Sequence, residues 1–135
     1  MIVIDACIAV NWFLPEPLSD DADAILLEDA VRIAPEHLLV EVGNTLLRAY
    51  RSHGITLDHA RAAITALNRL VHLRPIHEIA DAALIIAGLV GCTNYDAPYV
   101  AAAERWDAVL ITADAKLVRQ LDAAQWGGRM RLLEP

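Results

Sequence analysis

The chain has 135 residues, 56% of them hydrophobic, with a mean hydropathy of +0.37. That is ample apolar material for one core covered on both sides, which excludes a disordered tail protein and leads us to expect a single domain over residues 1–135. Eleven Lys and Arg against eighteen Asp and Glu leave a net charge of −7, which excludes nucleic-acid binding by a broad basic face.

The first strand is read at Met1 to Ile4, short and apolar, ending abruptly at Asp5. After Pro15-Glu16-Pro17 a helix is expected over Leu18 to Asp29, its acidic start Ser19-Asp20-Asp21 suiting the positive end of a helix dipole. Val31 to Ala34 reads as a second strand stopping at Pro35, and a helical pattern runs from there to about Ser52, with Gly54 as its C-cap. Thr56 is a natural N-cap for the next helix, which extends to about Leu70 with Ala60, Ile64, Leu67 and Val71 on one face. Leu73 to Ile76 suggests a third strand, held to an edge by Pro75. Helices follow at Ile79–Val90 and from about Asp96 to Trp106; then come a strand at Ala108–Thr112, a helix at Asp114–Ala123 and a last strand at Met130–Leu133. Short apolar strands alternating with helices predict an α/β fold: a three-layer α/β/α sandwich around a central, mainly parallel sheet.

No apolar run approaches the roughly 20 residues of a membrane span, so no membrane association is expected. The longest, Ala82 to Val90, is bounded by Asp81 and Gly91. No charged segment precedes Met1–Val3, and Cys7 and Cys92 are too few for a disulfide framework. A reducing cytoplasm is the expected compartment.

In open parallel sheets, ligands bind beyond the carboxyl ends of the strands. Asp5 stands directly after the first strand, and Asp114 stands two residues after Thr112. Asp96 precedes Pro98, which is tolerated only in the first turn of a helix. Glu41 lies within a helix, on a stripe with His37, Asn44 and Arg48. Singly, each acid has an ordinary reading: Asp96 and Asp114 as helix N-caps, Asp5 as the cap of the turn that follows it, and Glu41 on a solvated face beside the surface residues His37 and Arg48. Jointly they would be costly, since two like charges about 4 Å apart repel by roughly 4 kcal/mol at an effective dielectric near 20. A counter-ion or shared protons would be needed, and oxygen-only ligands select hard cations, Mg²⁺ or Mn²⁺.

Four blocks, in order and spanning nearly the whole chain, resemble the PIN-domain nucleases and specifically the VapC-type toxins of bacterial toxin–antitoxin pairs. They are Val3-Ile4-Asp5-Ala6-Cys7 through Asn11-Trp12-Phe13-Leu14-Pro15-Glu16, Pro35-Glu36 leading to Glu41-Val42-Gly43-Asn44, Tyr95-Asp96-Ala97-Pro98-Tyr99-Val100-Ala101, and Leu110-Ile111-Thr112-Ala113-Asp114. The resemblance implies a metal-dependent endoribonuclease with one or two metal ions. On this chain it implies Asp5 and Asp96 as principal ligands, Asp114 ligating directly or through water, and Glu41 holding or deprotonating the attacking water. It also implies an RNA substrate, a cognate antitoxin that neutralises the enzyme, and a homodimer; the Ile79–Val90 helix is apolar enough to be buried either in the core or at such an interface. Cys7 stands where the family usually has Ser or Thr. Thr112 and Asn44 are candidates for orienting the carboxylates, or ordinary strand and helix residues.

Trp12 and Phe13 read as core residues or as a platform for bases or a partner helix, and Lys116 and Arg119 as phosphate contacts or a solvated face. The five histidines lack ligand spacing with one another. Three other readings compete, of which a response-receiver domain also has clustered acids but distributes them differently along the chain. Phosphoryl transfer on an aspartate wants Asp-x-Asp after the first strand, and the third position here is Cys7. A catalytically silent PIN-fold binding module is the alternative from a different class, and metal affinity distinguishes it from the nuclease.

Overall fold

The computed structural model describes residues 1–135. Its strands are β1 (Ile2–Ile4), β2 (Arg32–Pro35), β3 (His72–Arg74), β4 (Val109–Thr112) and β5 (Met130–Leu132). The helices are α1 (Ala6–Ala9), α2 (Ser19–Leu26), α3 (Leu38–Arg51), α4 (Leu57–Leu70), α5 (Ala80–Val90), α6 (Ala97–Arg105) and α7 (Ala115–Ala123). The strands form one sheet in the order β3-β2-β1-β4-β5, and all four pairings are parallel. The three-layer α/β/α architecture is therefore present.

Strand order reverses at β1. From β1 the chain moves outward through β2 to β3, then crosses back to β4 on the other side and ends at β5. Right-handed crossovers put α1 to α4 on one face of the sheet and α5 to α7 on the other. Contacts agree, with α3 packed on α1 and α4 and with α5 packed on α6 and α7. The β1/β4 seam is thus the point where helices leave for opposite faces, and a crevice opens there at the carboxyl ends of the strands.

Packing explains why these residues make these elements. Val3, Ile4, Ile33, Leu110 and Ile111 are fully buried, as expected for strands covered on both faces. Helix α6 lies against β1, β2 and β4, and every residue from Ala97 to Ala103 is buried. Its small residues, Ala97, Ala101, Ala102 and Ala103, let the helix axis approach the sheet closely. Its amino end, which carries Asp96, is thereby fixed at the seam. The turn into it begins at Gly91, whose φ of 82° closes α5 in the left-handed conformation.

Several local expectations need correction. The segment after Asp5 is helical, as α1 and a 3-10 turn over Val10–Trp12. Its few residues are too short to show a period. Helix α2 ends at Leu26 rather than Asp29. The third strand is His72–Arg74 at the sheet edge, and Pro75 ends it before Ile76. Past α3 the left-handed residue is His53, at φ 61°, while the Gly54 N–H returns to the Ala49 carbonyl at 2.8 Å. The N-cap at Thr56 is present, its hydroxyl accepting the His59 N–H at 3.0 Å. No helix is long and apolar enough to cross a membrane.

Leu110→Ala removes a fully buried side chain from β4 and should cost about 3 kcal/mol, within the 2–5 typical of such sites. Thr56→Ala, which removes only a cap, should cost about 1 kcal/mol. Urea unfolding midpoints with unchanged m-values measure both, and the opposite ranking would count against this core.

Candidate active site

Asp5, Glu41, Asp96 and Asp114 line one cleft of about 470 Å³ at the carboxyl ends of β1 and β4. Cys7, Asn11, Glu16 and Thr45 share its walls. A larger groove of about 620 Å³ between α3 and α4 is mostly apolar and contains none of the four acids.

Asp5 is buried, with 5% of its surface exposed. The Thr112 hydroxyl donates to its Oδ2 at 2.6 Å, and the Cys7 N–H makes a long contact of 3.4 Å with Oδ1. The Thr112 proton is committed to Asp5, so the Cys7 thiol, 3.6 Å away, donates to Thr112 Oγ1. Cys7 Sγ in turn accepts the Ala113 N–H at 3.2 Å, and Thr112 Oγ1 accepts the Asp114 N–H at 3.0 Å. Burial pushes the thiol well above its ordinary range, which keeps it protonated as a donor. Cys7 therefore performs polar work in addition to filling space.

The ordinary readings of the other acids divide. Asp114 is a true N-cap, with Oδ1 accepting the N–H groups of Lys116 at 2.9 Å and Leu117 at 3.1 Å. Asp96 occupies the cap position of α6, but its backbone is helical and its side chain caps nothing. Instead its own N–H is held by Thr93 Oγ1 at 3.1 Å. Glu41 is not on a solvated face: its side chain is 28% exposed, and its Oε1 accepts from Tyr99 and meets His37 Nε2. His37, expected as a surface residue, has a side chain only 18% exposed.

The acids act on one another. Burial, opposed by the Thr112 and Cys7 hydrogen bonds and reinforced by the charges of Asp96 and Glu41, pushes the Asp5 carboxyl up to about 6. Asp96 is also raised, by burial first and by the charges of Asp114 and Glu41. No group of three or more His, Cys, Asp or Glu side chains stands close enough together, as placed, to hold a metal ion.

Of the supporting residues named from sequence, Thr112 is fully buried against Asp5. Asn44 is exposed and outside the cleft wall, and Thr45 stands there instead. Trp12 and Phe13 pack on the core, with Trp12 Nε1 donating to the Ala22 carbonyl at 2.9 Å. Lys116 and Arg119 are exposed on α7 and do not line the cleft. Sequence reading missed Tyr99, which is buried and joined to Glu41 across 58 residues. The only signal for His37 was its helical spacing from Glu41.

A PIN-domain family model matches residues 2–122. Ribonuclease VapC1 of Mycobacterium tuberculosis is 35% identical over 115 residues, covering 85% of this chain and 86% of that protein. Ribonuclease VapC3 of Pyrobaculum aerophilum is 27% identical over 125 residues, covering 90% and 95%. The solved structure of PAE2754 from Pyrobaculum aerophilum shares the fold with a TM-score of 0.67 and 22% identity, over 88% of this chain and 84% of that one. So does Mycobacterium tuberculosis VapC20, described as a sarcin–ricin loop cleaving toxin, with a TM-score of 0.72 and 15% identity over 88% and 94%. On its matched length and its close curated relatives, the chain belongs to the PIN-domain family and within it to the VapC type.

Proposed function

We propose that this chain, as one PIN domain over residues 1–135, is a divalent-metal-dependent endoribonuclease of the toxin kind, neutralised by a cognate antitoxin protein. The observation that carries this reading is the meeting of Asp5, Glu41, Asp96 and Asp114 in one cleft where the strand order reverses. The names of its ribonuclease relatives support RNA as the substrate class. The cytoplasm is the compartment this role requires.

The donor set suits a hard cation. It is all oxygen, and burial raises the carboxyls of Asp5 and Asp96, whose charge a cation would offset. Asp5 and Asp96 would hold Mg²⁺, or Mn²⁺, with Asp114 ligating directly or through water. Mg²⁺ keeps several waters of its own, so two principal protein ligands would be enough to hold it. When bound, such an ion supplies positive charge that acidifies water and offsets charge developing on the phosphate. Glu41 orients the attacking water and accepts its proton as the new bond to phosphorus forms opposite the departing oxygen. Thr112 holds Asp5 in orientation, and capping α7 does the same for Asp114. The net charge of −7 suits a partner that brings basic groups, as an antitoxin segment would. A second copy of the chain is the other proposed partner, docking on α5, where Leu84 is 63% exposed, Ile85 55% and Leu89 79%.

Purified protein with total bacterial RNA and Mg²⁺ or Mn²⁺ should give discrete fragments. EDTA or Asp96→Asn should reduce cleavage to background, and a silent binding module would cleave nothing with wild type. Asp5 makes a second forecast. Its folded pKa of about 6 exceeds the ordinary 3.8, so its favourable contribution is complete below about pH 4 and is lost as pH rises through 6. In EDTA, wild type should therefore lose up to about 3 kcal/mol of stability between pH 4 and pH 7.5 that Asp5→Asn keeps. Saturating Mn²⁺ should raise the melting temperature of wild type and not of that variant; an equal rise in both would remove Asp5 from the ligand set. Light scattering should find a dimer that Leu89→Asp converts to a folded monomer, whereas a monomeric wild type would reject α5 as a self-docking face.

A further inference from the structure

Behind the cleft, two side chains converge on a single oxygen of Glu41. Tyr99, fully buried, donates its phenol O–H to Oε1 at 2.9 Å. His37 Nε2 lies 3.0 Å from that same oxygen and 2.8 Å from the Tyr95 carbonyl oxygen. A ring nitrogen between two oxygen acceptors must carry the proton, so His37 donates from Nε2. The two rings lie against each other, centroids 4.7 Å apart and tilted by 40°. Both donors are tied to Asp96. Tyr95 directly precedes it, and the Tyr99 N–H bonds to the Asp96 carbonyl at 3.1 Å.

We propose that His37 and Tyr99 are positioning residues that lock Glu41 Oε1 to the Asp96 turn, leaving Oε2 as the oxygen that serves the attacking water. This rests on the role given to Glu41 above. A free glutamate rotates about several torsions, and two donors on one oxygen remove most of that freedom before substrate arrives. The Tyr99 donor is permanent: burial, with the charges of Asp5 and Glu41, holds its phenol far above the ordinary range. A packing role alone does not account for His37. Its Nδ1 is buried without a partner, a cost that a leucine filling the same space would avoid. The histidine has reason to be there only if its other nitrogen does something a hydrocarbon cannot.

The test measures kcat and KM with Mn²⁺ on an RNA oligonucleotide spanning a mapped cleavage site, beside thermal melts. Tyr99→Phe and His37→Leu should each lower kcat by about 10- to 100-fold with KM and melting temperature held. His37→Gln, which can still donate, should recover part of the loss. Glu41→Gln is the reference: if it is inactive while Tyr99→Phe matches wild type, or if Tyr99→Phe moves only KM, the positioning role is overturned. Should wild type cleave no RNA, the ribonuclease reading falls and the lock is judged by ¹H–¹⁵N spectra of His37. A proton on Nε2, with ring signals displaced in Glu41→Gln and Tyr99→Phe, supports it. A proton on Nδ1 alone, with Nε2 bare, overturns it.

Discussion

A carboxylate that ends the central strand of a sheet has almost no water around it, and the hydrogen bond from Thr112 to Asp5 is what makes that position tolerable. The bond spans 2.6 Å and joins the ends of β1 and β4, which pair in register from Ile2–Val109 to Ile4–Ile111. Parallel pairing sets the two chain ends level, so the hydroxyl meets the carboxylate without a loop having to reach. The same Thr112 oxygen accepts from Cys7 and from the Asp114 backbone, so one side chain aligns the start of α1, the end of β4 and the start of α7. A buried polar cluster of this kind is stable only when fully paired, which makes the thiol at Cys7 a working member of it.

The rest of the site follows from topology. Because the strand order reverses at β1, the segments after β1 and β4 diverge to opposite faces and leave a cleft between them. Helix α6 fills the centre of its layer with alanines and so delivers Asp96 to the cleft mouth. Helix α3 brings Glu41 from the opposite layer, and Tyr99 joins the two layers by a hydrogen bond. Four like charges are thus brought together by the fold's connectivity, and burial first, with those neighbouring charges second, raises the carboxyls of Asp5 and Asp96.

What was legible in the sequence was whatever depended on neighbours along the chain. Asp5 and Asp114 stood out because an apolar strand stops at or just before them, and Thr56 because an N-cap is local chemistry. The alternation of strands and helices carried the layer architecture. What was hidden depended on distance. Tyr99 reads as an ordinary apolar position of a buried helix, and only its hydrogen bond to Glu41 in the opposite layer reveals its partner. His37 reads as a surface residue because nothing local says that the Tyr95 turn will cover it. The short helical turn after Asp5 has too few residues to display a period, and β3 lost its last residues to Pro75, whose missing N–H could not join the ladder.

The four acids are not equivalent, and the differences have a pattern. Asp5 commits Oδ2 to Thr112, Asp114 commits Oδ1 to the α7 backbone, and Glu41 commits Oε1 to Tyr99 and His37. Each is held by one oxygen, and the other is left without a strong protein donor. An acid held by both oxygens would be rigid but have nothing to offer a cation or a water, and an acid held by neither would have to be ordered when the ligand arrives. Anchoring one oxygen removes most of the rotational freedom while keeping a lone pair available. Asp96 departs from the rule: its side chain caps nothing, and its position comes from the backbone held by Thr93 and from the buried helix behind it. It is therefore the acid with most room to adjust, which the ligand role proposed for it would use.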